Sequence, residues 1–502
     1  MEENKPRSLL SRFLSGTFFT GIGSISVILS GFVGLMLIAR WVPAEEIGIF
    51  VLVQLIVTFM VGLSDFGLGL TVTQLISRDE NDDEKHLILN TSIIFRIITA
   101  LIGAVLALTG RQLLFNFFDG TLNANMLVFI PILILIESLI QLYQSVLEGL
   151  FKFRSIALVD LVISISNFIA LLILVGYFKL GIMGLIFVRL TSRSIGLLIS
   201  FLTTKIPFRF EFSFDKLRQM VRFGFPLYLN YILDFIFNQT GTFIIGALLG
   251  PAQIAFFEYA RKIPDSLEML YNAFRQVYFP TLSRLFGTGR KQEAASMLNH
   301  SNRLIAFFGV LGTLVAFFFG EEIIVTFFSE EFLPSVAVFY ILMINLTLRI
   351  IDQTLGYSLV AVGESNKPVL INSLRAIVTL GAYAILIPIP TLGIIGAALS
   401  TILGTLIANP INIFFLRRKQ VNAKFSTFLK PFAAFLLLYI PSILLIPMSI
   451  FIKITAFVVY FVLSVVLSVV TRKDITMITE EIQHTLRRRQ QNKKAVDSIP
   501  KD

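Results

Sequence analysis

Six ionisable side chains crowd one apolar stretch of this 502-residue chain, residues 253–283: Glu258, Arg261, Lys262, Asp265, Glu268 and Arg275. Tyr259, Tyr271 and Asn272 stand beside them. Positions 258, 261, 265, 268, 272 and 275 recur every three or four residues and so share one helical face. Guanidinium and ammonium groups on such a face can grip phosphate oxygens, Arg in a planar bidentate geometry and Lys as a point charge. A charge at the centre of a membrane helix costs roughly 2.5–3.5 kcal/mol on insertion scales, so each needs a partner or a hydrated cavity. Two readings stand. Either the stripe lines a wet interior, or Glu258–Lys262 and Arg261–Asp265 satisfy each other as four-residue pairs.

Neighbouring apolar stretches add to the set. Residues 220–249 carry Asn230, Asp234 and Asn238 at four-residue spacing, with Tyr231 and Gln239. These either bond adjacent helices or make Asp234 a proton- or cation-linked carboxylate. Residues 334–361 hold Arg349, Asp352, Gln353 and Tyr357, where Arg349 and Asp352 are spaced to pair. Residues 367–388 hold Asn372 and Arg375 with no carboxylate in reach on their own helix. The first half of the chain is sparser: Gln54, Asp65, Arg96, Glu137, Asp160, Arg189 and Arg193. Cations and anions balance in the second half, so the sequence establishes a polar cavity there but not a positive one. His86, His300 and His484 lie at the ends of apolar runs or in the tail, and there are no cysteines. No metal site, cofactor or catalytic constellation is expected, and the chain reads as a non-enzyme.

The elements that must position these groups are membrane helices. Apolar residues make up 55% of the chain and charged ones 15%, against about 25% in soluble proteins, and there are 50 phenylalanines. So little charge cannot cover a soluble surface of this size. Runs of roughly 20 apolar residues give about 14 spans: 13–39, 46–76, 87–109, 125–150, 155–178, 181–203, 220–249, 253–283, 300–320, 334–361, 367–388, 393–416, 428–449 and 451–471. The first has a small-residue face (Gly21, Ser24, Ser26, Ser30, Gly31, Gly34).

Lysines and arginines sort to one side. With the N-terminus inside, the outer loops contain only Arg40, Arg111, Lys179 and Lys453, while Glu45, Glu46, Asp119, Glu321, Glu322, Glu330 and Glu331 gather there. Both termini are therefore expected in the cytosol. The net charge of +10 sits largely on inner loops and on the tail from Arg472 to Lys501. That placement favours contact with anionic membrane lipids over nucleic acid.

The chain also repeats itself. Ala39–Phe50 is echoed by Ala247–Phe257, Leu89-Asn90-Thr91-Ser92 by Leu298-Asn299-His300-Ser301, and Leu180–Gly184 by Leu392–Gly396. Repeated membrane bundles commonly place a substrate path at the interface of their halves. The expected domains are an N-lobe, 1–203; a cytosolic connector, 204–222; a C-lobe, 223–420; two accessory helices, 421–471; and a basic tail, 472–502. In the connector, Phe208, Phe210, Phe212 and Phe214 alternate, which fits either a short amphipathic helix on the headgroups or a tethered loop packing its phenylalanines.

With these motifs in order, the chain resembles the polysaccharide biosynthesis family of oligosaccharide-lipid flippases, in the superfamily that also holds multidrug exporters and lipid II flippases. The resemblance covers roughly residues 10–420. It rests on Gly34–Arg40, on Pro43–Phe50 with its Glu46-Ile47-Gly48 centre, on Ser64–Gly69 and on Phe223-Gly224-Phe225-Pro226. It implies an all-α, MATE-like V of two six-helix lobes plus two C-terminal helices, in the cytoplasmic membrane of a bacterium. It further implies alternating-access transfer of an undecaprenyl-pyrophosphate-linked oligosaccharide from the inner to the outer leaflet, for surface polysaccharide assembly, with the pathway's polymerase as a partner. Under that resemblance Arg261 and Lys262 are the leading pyrophosphate ligands, with Arg275, Arg349, Arg375 and Arg96, and Asn230, Asn238 and Tyr271 contact the headgroup. Asp234, Asp265, Asp352 and Asp65 become candidates for coupling to H⁺ or Na⁺. A drug exporter would favour acidic groups in its cavity, a lipid II flippase would share the same chemistry, and a membrane acyl- or glycosyltransferase would want an intramembrane histidine or long outer loops.

Overall fold

The computed structural model of the protein describes residues 31–78, 81–110, 128–206, 209–424 and 450–466. The expected span 428–449, the tail 472–502 and most of the span 13–39 lie outside the described residues. The regular elements described are helical: α1 (Gly31–Trp41), α2 (Ala44–Asp65), α3 (Leu68–Arg78), α4 (Asp82–Thr109), α5 (Phe129–Gly149), α6 (Phe153–Tyr177) and α7 (Gly181–Thr204). There follow α8 (Phe214–Leu249), α9 (Pro251–Gly287), α10 (Lys291–Phe327), α11 (Ser335–Ala361), α12 (Asn366–Leu386), α13 (Ile394–Arg418) and α14 (Ile450–Val466). Among the described residues, nine helices are long and apolar enough to cross a membrane.

Two compact units divide the described chain. The first takes the helices up to Tyr259 together with Ile324–Ser335 and Tyr383–Ala397; the second takes Ala260–Ile323, Val336–Ala382 and the described residues from Ala398 onward. The join falls inside α9, which runs unbroken through Pro264 and Pro280.

In the first unit the expected span 46–76 is two helices. Asp65 ends α2, Phe66 and Gly67 take left-handed backbone (φ 48° and 76°), and α3 starts at Leu68. The Asp65 carboxylate accepts hydrogen bonds from the Gly67 and Gly69 amides at 3.1 and 3.4 Å, capping the new helix. Backbone proximity explains the glycines. A Cβ on Gly67 would land on the carbonyl of Gly224, and a Cβ on Gly48 would land on that of Pro251. The motif around Gly48 therefore packs against its own echo, and Ser64–Gly69 against Phe223–Phe225. At the α1–α2 corner, Arg40 donates to the carbonyls of Thr326 (2.5 Å) and Phe328 (3.1 Å), and Glu331 accepts from the Ala44 amide at 2.7 Å.

The repeated asparagines do one job twice. Asn90 Oδ1 accepts the Arg209 amide at 3.1 Å, and Thr91 Oγ1 accepts that of Ser213 at 3.1 Å. In the second unit Asn299 Oδ1 accepts the Lys424 amide at 2.8 Å, while its Nδ2 donates to the Asn422 carbonyl at 2.7 Å. Each asparagine thus holds the chain leaving the last helix of its repeat. This tether also resolves the connector. Residues 209–213 are not helical, α8 begins at Phe214, and Phe210, Phe212 and Phe214 are exposed. In the second unit α14 docks on α10, with Tyr460 stacked on Phe307 and Lys453 paired with Glu322 at 2.7 Å.

Gly67→Ala is expected to lower stability by roughly 1–3 kcal/mol, the usual cost of overpacking, read as a drop in the melting temperature of the purified protein; Gly287→Ala, where no atom lies within 4 Å, should be silent. Asn90→Ala should remove about 1 kcal/mol and speed proteolytic cleavage between Lys205 and Ser213, whereas unchanged cleavage would mean the tether does not hold the connector.

Candidate functional site

Polar groups in the second unit converge where α9, α11, α12 and α13 face one another. Asp265 on α9 is shared by two guanidinium groups, Arg261 Nε at 3.2 Å and Arg349 Nη2 at 3.2 Å. Arg349 also pairs with Glu268, whose Oε1 accepts from Gln353 Nε2 at 2.6 Å. Lower on the same two helices, Tyr271 meets Thr354 and Tyr278 meets Ser358, both at 3.0 Å. Arg275 donates to the hydroxyl of Tyr357, with its guanidinium 5.2 Å from the ring centroid. The α9 stripe read from the sequence therefore carries pairs that run mainly across to α11.

A second constellation joins α11 to α12 and α13. Asp352, 3% exposed, accepts Arg375 Nη1 on Oδ2 and Asn412 Nδ2 on Oδ1, both at 2.7 Å. Above it, Asn409 Nδ2 donates to the Leu348 carbonyl at 3.2 Å, and Thr405 to Asn345 Oδ1 at 3.1 Å. Pro368, Asn372, Tyr357 and Arg375 border a recess of about 180 Å³ beside this ladder.

Three expected pairings change. Arg375 is not an unpartnered arginine: its carboxylate comes from α11, one helix away. Arg349 leaves Asp352 to Arg375 and turns to Asp265 and Glu268. Glu258 belongs to the first unit, where it is 6% exposed and accepts from Thr242 at 2.9 Å instead of engaging Lys262. Lys262 is half-buried and makes no ion pair among the described residues. The physical reason is common to all three. Helix rotation puts long side chains within reach of a neighbouring helix, and cross-helix pairs bury both partners better than pairs on one exposed face.

In the first unit Arg96 is 1% exposed and fully engaged. It binds Asp65 at 2.7 Å, the Ser138 carbonyl at 3.1 Å and Gln141 at 3.1 Å. With Asp65 also capping α3, this pair holds a broken helix in place and is poorly placed to receive a ligand. Glu137 pairs with Arg189 at 2.6 Å and lies 3.9 Å from Arg193; Gln144 reaches Asp160 at 3.3 Å. The side chains of Asn230, Asp234 and Asn238 lie outside the described residues.

Sequence reading missed Asn409, Asn412 and the Gln353–Glu268 bond. The signal was available. Thr405, Asn409 and Asn412 recur at helical spacing within the otherwise apolar span 393–416, and buried amides in a membrane helix demand a partner.

The balanced charge also resolves by unit. Among the charged groups named above on α8, α9, α11 and α12, Arg261, Lys262, Arg275, Arg349 and Arg375 all fall in the second unit, but only Asp265, Glu268 and Asp352 oppose them there. The surplus rests on Lys262 and on Arg275, whose described partner is a neutral phenol.

Known proteins are similar in both sequence and fold. The probable low-salt glycan biosynthesis flippase Agl15 of Haloferax volcanii is 23% identical over 82% of this chain and 83% of its own length. The capsular polysaccharide biosynthesis protein CapF of Staphylococcus aureus is 21% identical over 71% of this chain and 96% of its own. The structure of the lipid II flippase MurJ in an inward closed conformation superposes with a TM-score of 0.69 at 18% identity, covering 89% of this chain and 98% of MurJ. An inward-facing multidrug resistance transporter of the MATE family gives 0.65 at 15% identity, covering 78% and 94%. These likenesses make the fold that of an all-α, MATE-like membrane protein. A family model described as polysaccharide biosynthesis protein matches residues 37–337, more than half the chain. The chain belongs to the polysaccharide biosynthesis protein family.

Proposed function

We propose that this protein is a flippase that carries an undecaprenyl-pyrophosphate-linked oligosaccharide from the inner to the outer leaflet of the cytoplasmic membrane during surface polysaccharide assembly. Family membership and the MATE-like fold support transport, and flippases stand among its relatives. The observation that carries the substrate choice is the cationic surplus of the second unit. Pyrophosphate is a multivalent anion that cannot enter hydrocarbon, and each charge-assisted contact to a cation offsets part of its desolvation. Arg261 and Arg349 already share Asp265, so they orient and polarise. Lys262 and Arg275 hold charge that no described carboxylate cancels, which suits them to the incoming headgroup.

In this reading both termini are cytosolic, and residues 1–203 and 223–420 act as two lobes that alternate access around the polar core. The empty carrier resets through a bound H⁺ or Na⁺ or through the membrane potential. Asp265 is the coupling group best supported by geometry, because a proton or Na⁺ on it would release two arginines at once. A polymerase of the same pathway would receive the product. A cavity selecting organic cations, as a drug exporter needs, would not carry surplus positive charge.

Two outcomes test this. In vesicles reconstituted with the full chain and a fluorescent lipid-linked oligosaccharide, Lys262→Ala and Arg275→Ala should each slow headgroup transfer about ten- to a hundredfold, the equivalent of one charge-assisted hydrogen bond of roughly 1.5–3 kcal/mol. Arg275→Lys should recover part of the loss, and wild-type rates in both alanine variants would remove them from the site. Asp265→Asn should abolish the dependence of transfer on an imposed proton or sodium gradient while leaving the protein folded; a retained gradient response would exclude Asp265 as the coupling group.

A further inference from the structure

The recess bordered by α11, α12 and α13 is a poor phosphate site, and its chemistry points elsewhere. Its one full positive charge, Arg375, is cancelled by Asp352 at 2.7 Å, and Asp352 is held from its other side by Asn412. A phosphate seated there would meet a carboxylate at close range, where like charges repel strongly in a low-dielectric interior. What the recess does offer is neutral hydrogen bonding of both kinds. Arg375 has further N–H donors beyond the one given to Asp352, and Asn372 contributes an amide. Gln353 spends its Nε2 on Glu268, so its carbonyl oxygen is the end left to accept. Tyr357 accepts from Arg275, so its own hydroxyl proton is the end left to donate.

Phosphate oxygens only accept, and would leave the acceptors here unmatched. Sugar hydroxyls both donate and accept, and a vicinal pair matches a planar guanidinium edge. Size agrees as well. A cavity of roughly 150 Å³ admits a benzene ring, and this recess measures about 180 Å³. We infer that the recess is a subsite for one uncharged sugar ring of the glycan, distinct from the cations that take the pyrophosphate. Asn372, Gln353 and Tyr357 select the sugar, and the Asp352–Arg375–Asn412 cluster presents the guanidinium edge. The inference rests on the flippase reading, because it is the glycan that brings a sugar into the membrane core.

Saturation-transfer NMR on the full chain in lipid nanodiscs, with a panel of hexoses and N-acetylhexosamines as probes, tests it. At least one sugar should show transfer that excess inorganic pyrophosphate does not displace. Asn372→Ala, a substitution at an exposed position of α12, and Tyr357→Phe should each weaken that binding about tenfold, one hydrogen bond's worth. Lys262→Ala should leave it unchanged. Absence of transfer from every sugar, displacement by pyrophosphate, or equal binding by Asn372→Ala would overturn the subsite. The flippase reading fails separately, through absent lipid-linked oligosaccharide transfer by the wild-type vesicles, and monosaccharide binding does not depend on that result.

Discussion

Hydrocarbon offers no water to an ionised side chain, and that single deficit organises this molecule. Arg96, Arg349 and Arg375 each end on a carboxylate carried by a different helix. A pair of this kind acts as a cross-brace. Removing either partner strands a charge where it cannot be solvated, a loss of several kcal/mol, so helix rotation and depth are fixed by where the charges must meet. Apolar side chains pack into their own clusters beside these braces, one containing Met220 in the first unit and one containing Ile351 in the second.

Two kinds of polar contact follow from that rule. Arg96 with Asp65, Ser138 and Gln141 is well satisfied: each of its three guanidinium nitrogens donates, and the bonds hold α2, α4 and α5 together. Lys262 and Arg275 are the opposite case, cations on α9 without a described carboxylate. An evolved protein retains such groups at a standing cost in stability, and function is the usual reason. Hydrogen-bond completeness, rather than residue type, separates the two cases.

Much of the architecture was legible in the residues. Apolar run length found the helices, and the spacing of 258, 261, 265, 268 and 275 found the polar side of α9. The glycines of Ser64–Gly69 permit a kink or a close helix approach, and the structure has both there, a break at Phe66-Gly67 capped by Asp65 and a backbone contact with Gly224. One feature escaped. Ion-pair partners escaped because they depend on the mutual rotation of separate helices, which no one-dimensional spacing encodes; Arg349 with Asp265, 84 residues away, is the clearest instance. Asn409 and Asn412 are legible too, as amides at helical spacing in an otherwise apolar span, although their partners on α11 are not. Residues 209–213 of the connector do not form the helix that the alternating phenylalanines allowed, and Asn90 and Thr91 hold the backbone there as a tethered loop, while Phe208 lies outside the described residues.

Pro264 sits four residues beyond Ala260, the residue at which the second unit begins. Proline has no amide hydrogen, so the rung that would normally link position 264 back to the carbonyl of 260 is absent from the start. Curvature introduced there, or one rung's length before Pro280, sacrifices no backbone bond, while the same flexure elsewhere along α9 would. This charged helix thus carries two points of reduced stiffness, and elastic compliance is written into the sequence by two imino acids.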